Sequence, residues 1–336
     1  MSPESRPPFR GKVLKPPRFI PGQPRMTGAR PALVVAVHDG FYGFGTGAGR
    51  SNRAFLQVLC ELLDPSVRLT VLPVRLASDS AEYAAAWHRE TLALIGTVNA
   101  SVIPLDNGTA GQTRFGSLGN FRRASSSAAA EITRILSRAS PALAVAFDAP
   151  FFGIAPALPR QDAARTVNVA RATAALHAPA DQERTDWERS GLLATARAGG
   201  RIAATSQHIR QHLADAYSIP PPAITDLING LAPGENRPGP AFDGTSLLPP
   251  AARGRFMLSY GRAEPYKGFD DLISALSILK RNGAQVPHLI LGAVTDGPPL
   301  TPYQQHLADR IAARCLVLGG RSPATPLARR TGPAGR

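Results

Sequence analysis

The sequence predicts an α/β protein made of two Rossmann-like units. Three observations carry that expectation. Short apolar runs rich in β-branched residues alternate with amphipathic stretches from residue 33 onward, the pattern of a parallel sheet covered by helices. Residues 232–254 are rich in Pro and Gly, show no periodicity and divide the chain. A second strand–turn–helix series then starts at Phe256. The expected organisation is a disordered basic tail over 1–30, a first Rossmann-like domain over 31–231, a linker over 232–254, a partial second Rossmann-like domain over 255–318 and a disordered basic tail over 319–336.

Taken in order, Leu33 to Val37 is a short run for a buried parallel strand, ending in His38-Asp39-Gly40. Glycines at 43, 45, 47 and 49 make a loop free of side chains, and Ser51 to Leu63 follows as a helix with Phe55, Leu56, Leu59, Leu62 and Leu63 on one face. Strand, glycine loop and helix open a Rossmann-like unit, although the spacing is not G-x-G-x-x-G. Strands are expected at 67–74, 102–105, 143–147, 166–170, 201–205 and 224–228, with helices at 82–94, 124–137, 186–198 and 208–217. Residues 106–121 are polar and Gly-rich, a loop near the site. In the second unit the strands are 256–260, 288–292 and 315–318 and the helices 269–281 and 302–313.

The 336 residues carry a net charge of +14, which invites a nucleic-acid reading. The distribution argues against a specific one. Residues 1–30 hold seven Arg/Lys and one Glu, and residues 319–336 hold four Arg and no acid, so ten of the fourteen charges lie in the tails. Such tails can touch anionic lipid or nucleic acid weakly; the simpler reading is solvated chain. Met26 is a second candidate start, since a domain-like pattern begins after it. No apolar run reaches the roughly 20 residues of a membrane helix, and Pro and Arg interrupt any secretory leader. The two cysteines, Cys60 and Cys315, form no C-x-x-C and no disulfide framework. The expectation is a cytoplasmic protein, peripheral to a membrane at most.

The segment with most chemistry is 259–277, Ser-Tyr-Gly-Arg-Ala-Glu-Pro-Tyr-Lys-Gly-Phe-Asp-Asp-Leu-Ile-Ser-Ala-Leu-Ser. It sets two cations, Arg262 and Lys267, and the N-terminus of a helix at the carboxyl end of a strand. Helix N-termini offer unpaired N–H groups and partial positive charge, which suits phosphate. Arg forks two phosphate oxygens and Lys adds a compact charge, so together they can hold a diphosphate. An ordinary turn with solvated charges is the competing reading.

This pattern, G-R-x-x-P-x-K-G-x-D-x-L-I-x-A-L, resembles the donor-binding turn of retaining GT-B glycosyltransferases of the group 1 (family 4-like) type. Thr205-Ser206, the helix ending near Tyr217, and the strand leading to Asn229-Gly230 resemble the segment that closes that family's N-terminal domain, so the likeness covers roughly residues 31–318. It implies a GT-B-like fold with an incomplete second domain, and transfer of a hexosyl group from a nucleotide-diphosphate sugar to an acceptor that is a saccharide, a lipid or a small molecule. It also implies donor diphosphate contacts from Arg262 and Lys267, and no metal or other cofactor. The family's acidic E-x7-E segment and Gly-rich turn have no counterpart after Leu318, where Gly-, Pro- and Arg-rich sequence runs to Arg336. The expectation is a chain truncated in its C-terminal domain, whose activity is impaired; the alternative is a non-catalytic remnant that binds a nucleotide.

Other residues are candidates of lower specificity. The family places a His near the transferred sugar, and His177 falls in the corresponding region; a satisfied structural His is the competing reading. His38 follows the first strand and is a second cleft candidate. Gly45, Gly47, Gly49 and Arg50 would let acceptor or donor phosphate approach the backbone, against a plain surface loop. Asp148 ends a strand and either lines an acceptor pocket or caps the next segment. Asp162, Glu183, Asp186 and Glu188 show no sign of a nucleophile. His208 and His212 stand four apart on a helix, but no Glu follows the first and no third ligand is evident, so a surface helix is the default. No G-x-S-x-G or G-x-x-x-x-G-K-[ST] occurs, which sets aside a serine hydrolase and a P-loop enzyme.

Overall fold

A computed structural model describes residues 30–43, 46–230, 248, 253, 256–294, 300–312 and 316–317. Gly45, both expected tails (Arg30 apart) and the expected linker (Leu248 and Arg253 apart) lie outside the described residues.

Seven strands form one parallel sheet: β1 (Ala32–Val37), β2 (Arg68–Pro73), β3 (Ser101–Val102), β4 (Ala142–Phe147), β5 (Thr166–Ala170), β6 (Arg201–Ala204) and β7 (Ile224–Asp226), in the order β3-β2-β1-β4-β5-β6-β7. The helices between them are α1 (Gly47–Leu62), α2 (Ala85–Gly96), α3 (Leu118–Leu136), α4 (Arg160–Ala163), α5 (Ala174–His177), α6 (Gln182–Ala198) and α7 (Gln207–Tyr217). Side chains alternate across a strand, and β1 shows what this does to the core. Val34 and Ala36 pack with Ala124, Ala128, Ile132 and Leu136 of α3, whereas Val35 and Val37 pack with Leu56 of α1 and Ile95 of α2. Both faces of the strand are thus buried, so its sequence is an apolar run with no polar alternation. Ile132 and Leu136 are each 1% exposed, and burying a side chain of that size contributes about 1.5–3 kcal/mol. A third cluster fixes the far end of the sheet, where Ile202, Leu192, Leu213 and Tyr217 meet.

The order of strands reverses between β1 and β4, so the connections after these two strands leave in opposite directions and open a crevice at their carboxyl ends. The second unit comprises β8 (Phe256–Arg262), α8 (Phe269–Arg281), β9 (His288–Val294), α9 (Pro302–Ala312) and β10 (Leu316–Val317), with parallel strands in the order β10-β9-β8. Its core holds Phe269, Leu289, Leu291 and Leu307. Among the described residues no helix is long and apolar enough to cross a membrane.

Three local differences from expectation bear on the site. Helix α1 begins at Gly47 rather than Ser51, so Gly47, Gly49 and Arg50 form its first turn and are not loop residues. Helix α3 begins at Leu118 rather than Ala124, because Ser117 and Asn120 close a reciprocal capping box that shortens the expected 106–121 loop. The one-turn helix α5 was not expected at all.

Candidate functional site

The turn after β8 is built around Gly268. Its φ of +71° lies in the left-handed region, where a side chain is strained. The residue ends a short 3-10 turn, Pro265–Lys267, and serves as the N-cap of α8 with no side-chain cap. Asp270 and Asp271 stand in the first helical turn, and Arg310 Nη1 donates to Asp270 Oδ1 at 2.5 Å, which offsets one of the two negative charges. Arg262 Nη2 donates to the Tyr266 hydroxyl at 2.8 Å, and Lys267 Nζ lies 5.2 Å from the Tyr266 ring centre. Arg262, Tyr266 and Lys267 are all exposed. One phenol thus gathers both cations of the turn.

His177 comes to the same place from the first unit. It ends α5, which follows β5, and its ring lies 5.3 Å from that of Tyr266 at 59°. Burial lowers the affinity of His177 for a proton, the Lys267, Arg184 and Arg262 charges lower it further, and Glu188 opposes them. The imidazole is therefore biased toward its neutral form. The structure brings His177 to Arg262 and Lys267, which lie 85 and 90 residues further along the chain.

The glycine-rich turn after β1 serves a buried charge. Asp39 is 1% exposed and accepts from Gly40 N (2.7 Å), Thr46 N (3.1 Å) and Thr46 Oγ1 (2.8 Å), and it pairs with Arg114 Nη1. Arg114 also donates to Glu82 Oε2 through Nε at 2.8 Å and to the Gly43 carbonyl at 3.0 Å. Burial raises the Glu82 proton affinity, but hydrogen bonds and charge from Arg114 outweigh it and hold the carboxyl below its ordinary value. Gly40, at φ +90°, and Gly49 pack against each other and against Asp39: a Cβ on Gly40 would lie 2.1 Å from the Gly49 carbonyl oxygen, and one on Gly49 would lie 2.7 Å from the Asp39 carboxylate. Gly49 is buried, whereas Gly47 and Arg50 are exposed. Gly49 is thus required for internal packing. Neither Asp39 nor Arg114 was singled out from sequence; an Asp in a strand-to-glycine turn was the available signal, and its partner lies 75 residues away.

Beside this turn, three strand ends converge. His38, 5% exposed, follows β1; its Nδ1 lies 3.3 Å from the Phe147 carbonyl oxygen and 3.6 Å from Asp148 Oδ2. Asp148, following β4, has φ 72° and ψ 177°, a region that favours glycine. Its Oδ1 accepts from Arg171 Nε at 3.1 Å, while Oδ2 is buried without a hydrogen-bond partner. Arg171, just after β5, donates to the Ala48 carbonyl at 2.8 Å and to Asn52 Oδ1, so it ties α1 to the β4 and β5 ends. Asp148 pairs with Arg171 and lies beside His38, and its side chain makes no capping hydrogen bond to the turn that follows.

The remaining candidates are structural. Asp162 pairs with Arg165 at 2.5 Å, Glu183 with Arg122 at 2.9 Å and Asp186 with Arg189 at 2.7 Å. His208 and His212 stack at 6.5 Å, and among the described residues no group of three His, Cys, Asp or Glu side chains converges on a metal site. His212 is more than a surface residue, since its Nε2 lies 2.7 Å from Thr173 Oγ1. A cavity of about 400 Å³ lined by Arg30, Arg68, Arg134 and Arg138 lies toward the amino ends of β1 and β2, at the opposite end of the sheet. Arg134 and Arg138 flank the C-terminus of α3, where the helix dipole favours cations.

No family model matches the chain, and no relative among curated proteins matches it. Solved structures do. A sucrose-phosphate synthase from Thermosynechococcus elongatus superposes with a TM-score of 0.57 at 13% identity, over 86% of this chain and 70% of that one. Anabaena HepE, in complex with UDP and glucose, gives 0.52 at 18% identity over 88% of this chain and 70% of that one. A UDP-forming α,α-trehalose-phosphate synthase from Burkholderia xenovorans gives 0.51 at 12% identity over 88% and 74%. The chain therefore has the fold of the GT-B glycosyltransferases, as its α/β layout and the 259–277 segment led us to expect.

Proposed function

We propose that this protein transfers a hexosyl group from a nucleotide-diphosphate sugar to an acceptor. The observation that carries the reading is the meeting of His177 with the Arg262–Tyr266–Lys267 turn at the head of α8. In the transfer, the bond from the anomeric carbon to the diphosphate oxygen breaks and a bond to the acceptor oxygen forms. The acceptor proton passes to the departing diphosphate or to water. Negative charge grows on the diphosphate as it leaves, and Arg262, Lys267 and the N-terminal end of the α8 dipole would neutralise it. These cations take the part that a metal ion would otherwise play. His177, biased to the neutral form, can hydrogen-bond a hydroxyl of the sugar. Arg50 and Gly47, on the first turn of α1, complete the reading as the wall along which a phosphate approaches. That HepE was solved with UDP and glucose, and that the Burkholderia synthase is UDP-forming, supports a uridine nucleotide as the first donor to try.

The test is calorimetric binding of UDP-, GDP- and ADP-glucose, followed by release of nucleoside diphosphate with saccharide, lipid and small-molecule acceptors. Replacing Arg262 or Lys267 by Ala should weaken diphosphate binding and lower kcat by about 10²–10³, the usual cost of one lost transition-state donor. Binding without turnover would leave a nucleotide-binding protein. Failure of all three donors to bind would overturn the reading.

A further inference from the structure

The turn that carries His177 has no cap of its own. Thr173, the residue before α5, makes no side-chain hydrogen bond to the helix, and its hydroxyl is engaged with His212 Nε2 at 2.7 Å. The N–H groups that open this turn are satisfied from elsewhere. Ala174 N donates to Glu188 Oε2 at 2.8 Å, and Ala175 N donates to the Tyr217 oxygen at 3.3 Å. The Tyr217 hydroxyl in turn donates to the same Glu188 oxygen at 2.9 Å, and Arg184 Nε donates to Glu188 Oε1 at 2.9 Å. Glu188 and Tyr217 are both 0% exposed. Burial, opposed by a hydrogen bond from Thr173 and reinforced by the Glu188 charge, pushes the Tyr217 proton affinity up to about 12, so the phenol stays a donor.

We infer that Glu188 and Tyr217 are positioning residues for His177: a buried carboxylate on α6 and a buried phenol on α7 cap the one-turn helix α5 and set its imidazole against the Arg262–Tyr266–Lys267 turn. A four-residue helix cannot hold itself, since nucleating the first turn fixes several dihedrals for one hydrogen bond. The capping bonds and the packing of Ala174 therefore decide where His177 points. Among the described residues Glu188 pairs with Arg184, which is partly exposed, while its other oxygen accepts from Ala174 N and the Tyr217 hydroxyl. Glu188 also has an electrical effect, since it is the one group that raises the His177 proton affinity against burial, Lys267, Arg184 and Arg262. Its chemical consequence rests on the glycosyl-transfer reading; the positioning itself does not.

The experiment uses the full chain with Glu188→Gln and, as a gentler variant, Tyr217→Phe. Two readouts need no activity. The His177 imidazole is titrated by NMR, assigned through His177→Asn, and the Ala174 and Ala175 amides are followed by hydrogen exchange. In Glu188→Gln the His177 midpoint should fall, and exchange at the two amides should speed up by about tenfold or more while β4 and β5 amides stay as they were. Tyr217→Phe should speed exchange at Ala175 more than at Ala174, and it decides the matter if Glu188→Gln does not fold. If the protein turns over a nucleotide-sugar, kcat should fall in both variants with donor KM little changed. An unmoved His177 midpoint together with unchanged amide exchange overturns the inference whatever the reaction. Loss of the proposed activity in the parent chain, with the NMR and exchange effects intact, overturns the functional reading and leaves the brace standing.

Discussion

Replacing Arg114 by Met tests whether the buried ion network holds the cleft turn. Arg114 is 4% exposed and serves Asp39, Glu82 and the Gly43 carbonyl at once. Met keeps the length of the side chain and removes every donor. Breaking a buried pair from one side typically costs about 3–5 kcal/mol. Here Asp39 retains its bonds from Gly40 N, Thr46 N and Thr46 Oγ1, so the lower end applies, about 3 kcal/mol. At about 2–4 °C per kcal/mol for a domain of this size, the melting temperature should drop by about 6–12 °C. The assay is thermal and urea unfolding followed by circular dichroism across pH. Glu82 sharpens it. Its folded proton affinity is held below the ordinary value of 4.5, so its contribution is present above pH 4.5 and is lost as pH falls through the lower folded value. Arg114→Met removes part of that depression, so its stability should fall less steeply in acid than that of the parent chain. Adding Asp39→Asn should recover stability relative to Arg114→Met alone, because the buried negative charge that Arg114 balanced is gone. A single variant within about 0.5 kcal/mol of the parent, or an unchanged acid limb, would refute the reasoning.

Three further outcomes are expected. By NMR, His177 should titrate below the ordinary imidazole value of 6.5, and a bound nucleoside diphosphate should move the midpoint up by screening Lys267 and Arg262; a midpoint above 6.5 in the free protein would contradict the geometry. Asp148→Gly should be more stable than Asp148→Ala by about 1–3 kcal/mol in urea unfolding, because both lose the Arg171 pair while only Gly relaxes the positive φ. Gly49→Ala should cost about 1–3 kcal/mol, since its methyl group meets the Asp39 carboxylate rather than a flexible side-chain tip. A melting temperature equal to that of the parent would show that the turn relaxes freely.

How much of this was legible depends on the range of the forces involved. Strand β5 and helix α8 match the expected 166–170 and 269–281 because local signals bound both: an apolar β-branched run, and an amphipathic stretch opened by Gly268. The cation pair Arg262 and Lys267 was legible for the same reason, being one short pattern. The start of α1 was not. Four glycines in seven residues read as loop by propensity, yet Gly49 sits in the helix because the Asp39 carboxylate leaves no room for a side chain. The start of α3 was hidden by an Asn where a Glu or Gln would have announced the capping box. Helix α5 carries no local signal at all. Its caps come from Glu188 and Tyr217, 14 and 42 residues away from the amides they receive, so the placement of His177 depends on tertiary contacts.

The spacing of the contacts around β1 has a consequence for synthesis on the ribosome. Asp39 waits for Arg114, 75 residues later; His38 waits for the Phe147 carbonyl, 109 residues later; and the Ala48 carbonyl waits for Arg171, 123 residues later. Closing loops of that length is entropically slow, and contacts of high sequence separation set folding rates. The first strand and glycine turn therefore emerge early yet acquire their last partner only when β5 has left the exit tunnel. Asp39 therefore stays hydrated until Arg114 has emerged and His38 until Phe147 has, and the bond from Arg171 to the Ala48 carbonyl is the last of the three to form. A nascent chain halted before residue 171 would present the strand but not the site.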